Sequence, residues 1–92
     1  MEIKKLKFMP YAQAEVQIFP RGVNLKSYET IVAHIDGEWL TINGLYSMTT
    51  RKHLKAFCKE FAGFDHFATI KTLALEGYKM NIFTGEIVKI GE

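Results

Sequence analysis

The stretch Gly44-Leu-Tyr-Ser-Met-Thr-Thr-Arg-Lys-His-Leu-Lys-Ala-Phe-Cys-Lys-Glu-Phe-Ala62 reads as a strand end, a helix cap and then the main helix, over about 49–62. Leu54, Phe57, Cys58 and Phe61 recur at i, i+3, i+4 and i+7, which is one face of an α-helix. Arg51, Lys52, Lys55, Lys59 and Glu60 take the other face. Ser47, Thr49 and Thr50 each offer a hydroxyl that can cap the free amides of the first turn, and the spacing does not choose among them.

Upstream, Leu25 to Ile35 is rich in β-branched and aromatic residues and reads as one strand. Alternation would put Ile31, Ala33 and Ile35 on one side, with Tyr28, Thr30, Val32 and His34 on the other. Asp36-Gly37 is the dipeptide of a type I′ hairpin turn, and Glu38 to Ile42 returns as the partner, giving a hairpin over 26–42. Asn43-Gly44 is a second turn signal. Nearer the start, Glu2 to Phe8 reads as a strand that Pro10 ends, with Leu6 and Phe8 on one face. Lys4, Lys5 and Lys7 suit a sheet edge, where charge discourages pairing with another chain. Ala14, Val16 and Ile18 alternate with polar residues as a half-buried strand, and Pro20-Arg21-Gly22 turns the chain.

Downstream, Gly63 is placed to end the helix and Asp65 to cap a second one over about 65–76, carried by Phe67, Ile70, Leu73 and Ala74. Gly77 closes it. Tyr78 to Phe83 and Glu86 to Ile90 flank Thr84-Gly85 as a closing hairpin over 78–90. Strands, two helices and strands in that order predict an α+β domain. An antiparallel sheet of about five to six strands would carry both helices on one face. The other face would be solvated or used for binding.

The chain has 92 residues, 48% hydrophobic, with seven Phe, four Tyr and one Trp, enough for a packed core in a single domain over 1–92. A net charge of +2 does not by itself announce nucleic-acid binding. One cysteine allows no internal disulfide, which suits a reducing cytoplasm. The first residues lack the apolar run of a signal peptide, and no stretch approaches the ~20 apolar residues of a membrane span.

No catalytic set emerges. Cys58 could be a nucleophile with His53 or His66 as base, but it shares the apolar face with Leu54 and Phe61 and reads as core. His53 is five positions away, about 500° around the helix. His34, His53, His66 and Asp36 share no metal-ligand spacing, and no cofactor or metal is expected. The glycine dipeptides read as turns rather than phosphate loops. The chain is therefore expected not to be an enzyme.

The charge at the start of the main helix stands out. That end of a helix carries partial positive charge, yet Arg51, Lys52 and His53 lie there with no acid among them. An exposed cation so placed costs a few tenths to ~1 kcal/mol. Either Tyr46, Thr49, Thr50, Arg51, Lys52 and Lys55 converge on a phosphate or carboxylate, or the cations pair with acids elsewhere in the fold. Tyr28, Trp39 and Tyr46 are candidate exposed aromatics on the open face of the sheet, as a protein hot spot or a stacking platform for bases. The alternative is a small second core under a loop.

The segments Leu25-Lys-Ser-Tyr-Glu-Thr-Ile-Val and Gly44-Leu-Tyr-Ser-Met-Thr-Thr-Arg-Lys-His-Leu-Lys-Ala-Phe resemble a family of small proteins of unknown function. That family occurs in phages, mobile elements and genomes of Gram-positive bacteria. The likeness spans about residues 1–90, and it carries no catalytic or binding residues with it. It implies an accessory protein of a phage or mobile element, and by analogy one that occupies a host protein or ribonucleoprotein complex, such as a CRISPR–Cas defence complex; the lack of an apolar span adds the expectation of no membrane attachment. The alternative is a small nucleic-acid-binding module using the basic helix face of Arg51, Lys52, Lys55 and Lys59.

Overall fold

Leu25 to Ile35 does not run as one strand. In the computed structural model, which describes residues 1–91, a tight turn at Tyr28-Glu29 divides it into β3 (Gly22–Ser27) and β4 (Thr30–Asp36), paired antiparallel from Ser27 opposite Thr30. Tyr28 takes a left-handed backbone at φ 55°. That conformation costs a bulky residue roughly 1–2 kcal/mol. Two contacts hold it: its amide donates to the Gln13 carbonyl at 2.9 Å, and its ring lies 5.8 Å from the His53 ring.

The extra turn makes seven strands. β1 (Glu2–Lys4), β2 (Ala14–Phe19), β3, β4, β5 (Trp39–Ile42), β6 (Tyr78–Asn81) and β7 (Ile87–Lys89) lie side by side in chain order, every neighbour antiparallel. The helices α1 (Met48–Phe61) and α2 (Phe67–Leu75) interrupt the meander between β5 and β6 and pack on one face. The fold is α+β, as the order of elements predicts. β1 is an edge strand, as expected, but it holds only Lys4 of the three lysines, and Lys4 pairs with Glu60 of α1. β1 stops at Lys4 rather than Phe8. Leu6 instead turns into the core, fully buried, while Phe8 is 42% exposed.

Two glycines are required by the turns. Gly22 opens β3 so close to β4 that a Cβ there would sit 2.2 Å from the Ile35 carbonyl oxygen. Gly37, at φ 64°, is the first of the two residues joining Asp36 to Trp39. It alone of the pair has positive φ, which is the pattern of a type II′ turn rather than the I′ turn that Asp36-Gly37 suggests. Asn43-Gly44 is no turn of this kind. The Asn43 amide extends the ladder to the Val32 carbonyl, and the left-handed residue in that loop is Tyr46.

A bulge alters the facing of β4. Leu25 pairs with Ala33 but Lys26 pairs with Ile31, so Val32 is the additional residue. Both Val32 and Ala33 are buried, and Ile31 falls with Lys26 on the open face. Simple alternation puts Val32 outside, and the bulge is why it is not. The helix-side core then joins Val16, Leu25, Ile35, Leu40 and Met80 from the sheet to Leu54, Phe57 and Cys58 of α1 and Ile70 and Leu73 of α2.

Ser47 is the N-cap of α1: its hydroxyl accepts from the Thr50 amide at 3.1 Å. Gly63, at φ 75°, follows the helix as expected. Asp65 does not cap α2. The cap position belongs to His66, with no side-chain hydrogen bond to the helix, so α2 is held by packing of Ile70 and Leu73.

Candidate functional site

Two features meet at the start of α1, a buried polar cluster inside and a basic surface outside. Inside, Ser27 Oγ lies 2.8 Å from His53 Nδ1 and 3.0 Å from Thr50 Oγ1, and Ser47 Oγ donates to Thr50 Oγ1 at 3.2 Å. The chain thus ties the first turn of α1 to the end of β3. Burial pushes the His53 pKa below its ordinary value, so the ring is neutral at pH 7. His53 belongs to the core rather than to the basic surface, which corrects its grouping with Arg51 and Lys52. A serine hydroxyl on an imidazole is also the start of a nucleophile–base pair. Here Ser27 is 2% and His53 1% exposed and the hydroxyl is shared with Thr50, so no substrate carbonyl reaches it.

Thr50 belongs to the same cluster. It is 4% exposed and its hydroxyl is engaged, so it cannot meet a partner at the surface assigned to it from sequence. Thr49 is exposed on the first turn. Tyr46 is 59% exposed, but its ring lies over Gly44: a Cβ on that glycine would come 3.1 Å from the ring.

Arg51, Lys52 and Lys55 do stand together. With Met48 and Phe67 they line a groove of about 190 Å³ between α1 and the start of α2. The Arg51 guanidinium carbon sits 5.6 Å from the Phe67 ring centroid, and Nη1 meets the Met48 sulfur at 3.7 Å. Arg51 Nε is buried with no hydrogen-bond partner among the described residues. Met48 is 68% exposed. Among the described residues, ion pairs join Lys4 to Glu60 and Lys26 to Glu29, and none involves Arg51, Lys52 or Lys55. The first turn of α1 contains no acid. Lys59, on the same helix, lies 4.6 Å over the Phe8 ring.

The aromatic candidates do not converge. Trp39 is half-buried on the open face at the start of β5, with Lys79 Nζ 4.8 Å over its ring. Tyr28 lies at the opposite end of β4, roughly 20 Å away at about 3.3 Å per residue, and leans toward the helix side. The open face between them carries a polar row, Gln17, Asn24, His34 and Thr41, paired strand to strand. Met48 and Phe67 were missed in the sequence as surface residues. Phe67 falls on the apolar pattern of α2, and nothing in the spacing shows that its ring closes a groove.

Cys58 is fully buried, and burial raises its thiol pKa to about 12. Among the described residues no three His, Cys, Asp or Glu side chains are grouped as a metal site. No helix of the described residues is long and apolar enough to cross a membrane.

The model of a family of unknown function (DUF8033) matches residues 4–72. The chain belongs to that family. The match begins in β1 and ends within α2, so it includes the whole α1 surface and leaves out β6 and β7. No curated protein and no solved structure matches the chain.

Proposed function

We propose that this member of a family without assigned function is a non-enzymatic binding module that engages an acidic surface of a host protein or ribonucleoprotein complex through the start of α1. The observation that carries the reading is the set of three cations, Arg51, Lys52 and Lys55, with no acidic partner among the described residues. Arg51, in the first turn, stands where the helix dipole opposes it, Lys52 follows it and Lys55 lies one turn further along, and an exposed Met48 adds apolar area beside them. Cations held without an internal counter-charge keep their full attraction for an external one. The resemblance of Gly44–Phe57 to small phage proteins suggests the kind of host partner, a defence complex such as CRISPR–Cas, with the module acting as an inhibitor.

The experiment is capture from a bacterial host lysate with the wild-type protein and with Arg51→Glu, Lys52→Glu. Thermal melting first establishes that the variant folds. The reading expects a folded variant, unchanged or slightly more stable, that loses the captured partner. A folded variant that retains the partner places the working surface elsewhere, with the open sheet face next in line.

Direct nucleic-acid binding by Arg51, Lys52, Lys55 and Lys59 is the second reading, favoured by the same absence of internal ion pairs. It requires binding to a bare oligonucleotide that weakens steeply as salt rises.

A further inference from the structure

The groove beside those cations has its own shape and chemistry. It is lined by Met48 and Phe67 together with Arg51, Lys52 and Lys55. Its volume of about 190 Å³ lies below the ~300–1,000 Å³ of small-molecule sites. It equals the bulk volume of about six waters, which is room for one large side chain. Exposed methionine adapts to varied apolar shapes and recurs at peptide-binding surfaces.

We propose that this groove seats a single large apolar side chain of an acidic peptide segment, whose flanking carboxylates meet Arg51, Lys52 and Lys55. The inference rests on the proposed α1 surface and names what that surface recognises. Charge complementarity selects the flanks: the three cations have no internal ion pair among the described residues. The Arg51 guanidinium has its one side-chain hydrogen bond among the described residues with the Met48 thioether, and although Nε is buried its Nη groups keep donors for a carboxylate. The anchor is selected by the walls. Arg51 already covers Phe67, so that ring does not offer a bare face for a nucleobase to stack on. What remains open beside it is exposed Met48, which a Phe or Leu side chain covers and a phosphate does not. An acidic segment with one apolar anchor satisfies both halves of the groove, and a nucleic acid satisfies only the charged half.

The test uses three fluorescently labelled probes on the full chain, read by anisotropy. They are a short peptide of Asp and Glu with one central Phe, the same peptide with Gly in place of Phe, and an oligothymidylate of equal charge. The expected result is that the Phe peptide binds about tenfold or more tighter than the Gly peptide. Met48→Ala should erase that difference, and Arg51→Glu, Lys52→Glu should weaken both. Met48 is exposed, so its change leaves the core intact; Phe67→Ala is a second variant with the same expectation, checked for folding by melting. Equal binding of the two peptides overturns the anchored groove. So does a Phe advantage that survives Met48→Ala, or an oligothymidylate that matches the Phe peptide. Absence of binding to any probe overturns it as well. In each case lysate capture still decides the α1 surface separately: capture that depends on Arg51 and Lys52 keeps the wider reading while this one falls.

Discussion

His53 shows how a residue's partners override its apparent class. Its place in a basic run suggests a surface cation, but the fold buries it against Ser27 and Tyr28 and holds it neutral. The pH consequence follows from the lowered pKa. Below the unfolded value of about 6.5, the unfolded chain takes up a proton that the folded chain resists. Stability is therefore full above that pH and falls as the solution is acidified toward the folded value. Denaturation midpoints should decline as the pH is lowered below about 6.5, and His53→Gln should flatten that decline. An unchanged slope in the variant would assign the decline to other groups. Cys58 gives a second prediction at this scale. With its thiol buried and its pKa near 12, a thiol-reactive probe should label the native protein far more slowly than the unfolded one. Rapid labelling under native conditions would mean that the site opens.

At the scale of elements, α1 is what joins the sheet to the candidate surface. Phe57 is fully buried on its inner face, against a core that includes Leu54 and Ile70, and Phe57→Ala should cost ~3–5 kcal/mol in equilibrium denaturation. A loss below about 1 kcal/mol would contradict the register of the helix. Ser47→Ala should cost about 1 kcal/mol, because the Thr50 amide loses its cap. The helix was legible in the sequence because its apolar spacing is regular and its cap is a hydroxyl residue. The turn at Tyr28-Glu29 was not, since neither residue is a turn former and Tyr28 favours strands. Its left-handed backbone depends on Gln13 and His53, which are distant in sequence. The Val32 bulge was hidden for a related reason: alternation cannot show an added residue when both Val32 and Ala33 are apolar. The cations of the surface were legible from charge alone. The groove was not, because it needs Phe67 from a different helix.

Over the whole molecule, the sheet is a meander whose two edges, β1 and β7, are both three-residue strands that end in a lysine, Lys4 and Lys89, and so offer little length for pairing with another chain. The hairpin of β6 and β7 lies outside the family match, yet β6 pairs with β5 and places Met80 in the core. Removing 77–91 should therefore uncover Leu40 and abolish a cooperative melting transition; a truncated chain that still melts cooperatively would make the hairpin an accessory. Helices on one face leave α1 with an outer side turned from the sheet, and there the three cations have no ion-pair partner among the described residues. Differential lysine acetylation of the free protein and of its captured complex, read by mass spectrometry, examines that surface directly. Lys52 and Lys55 should be protected in the complex while Lys5, exposed just after β1, and Lys71, exposed on α2, label as before. Unchanged labelling of Lys52 and Lys55 in an intact complex would contradict the assignment of the α1 surface.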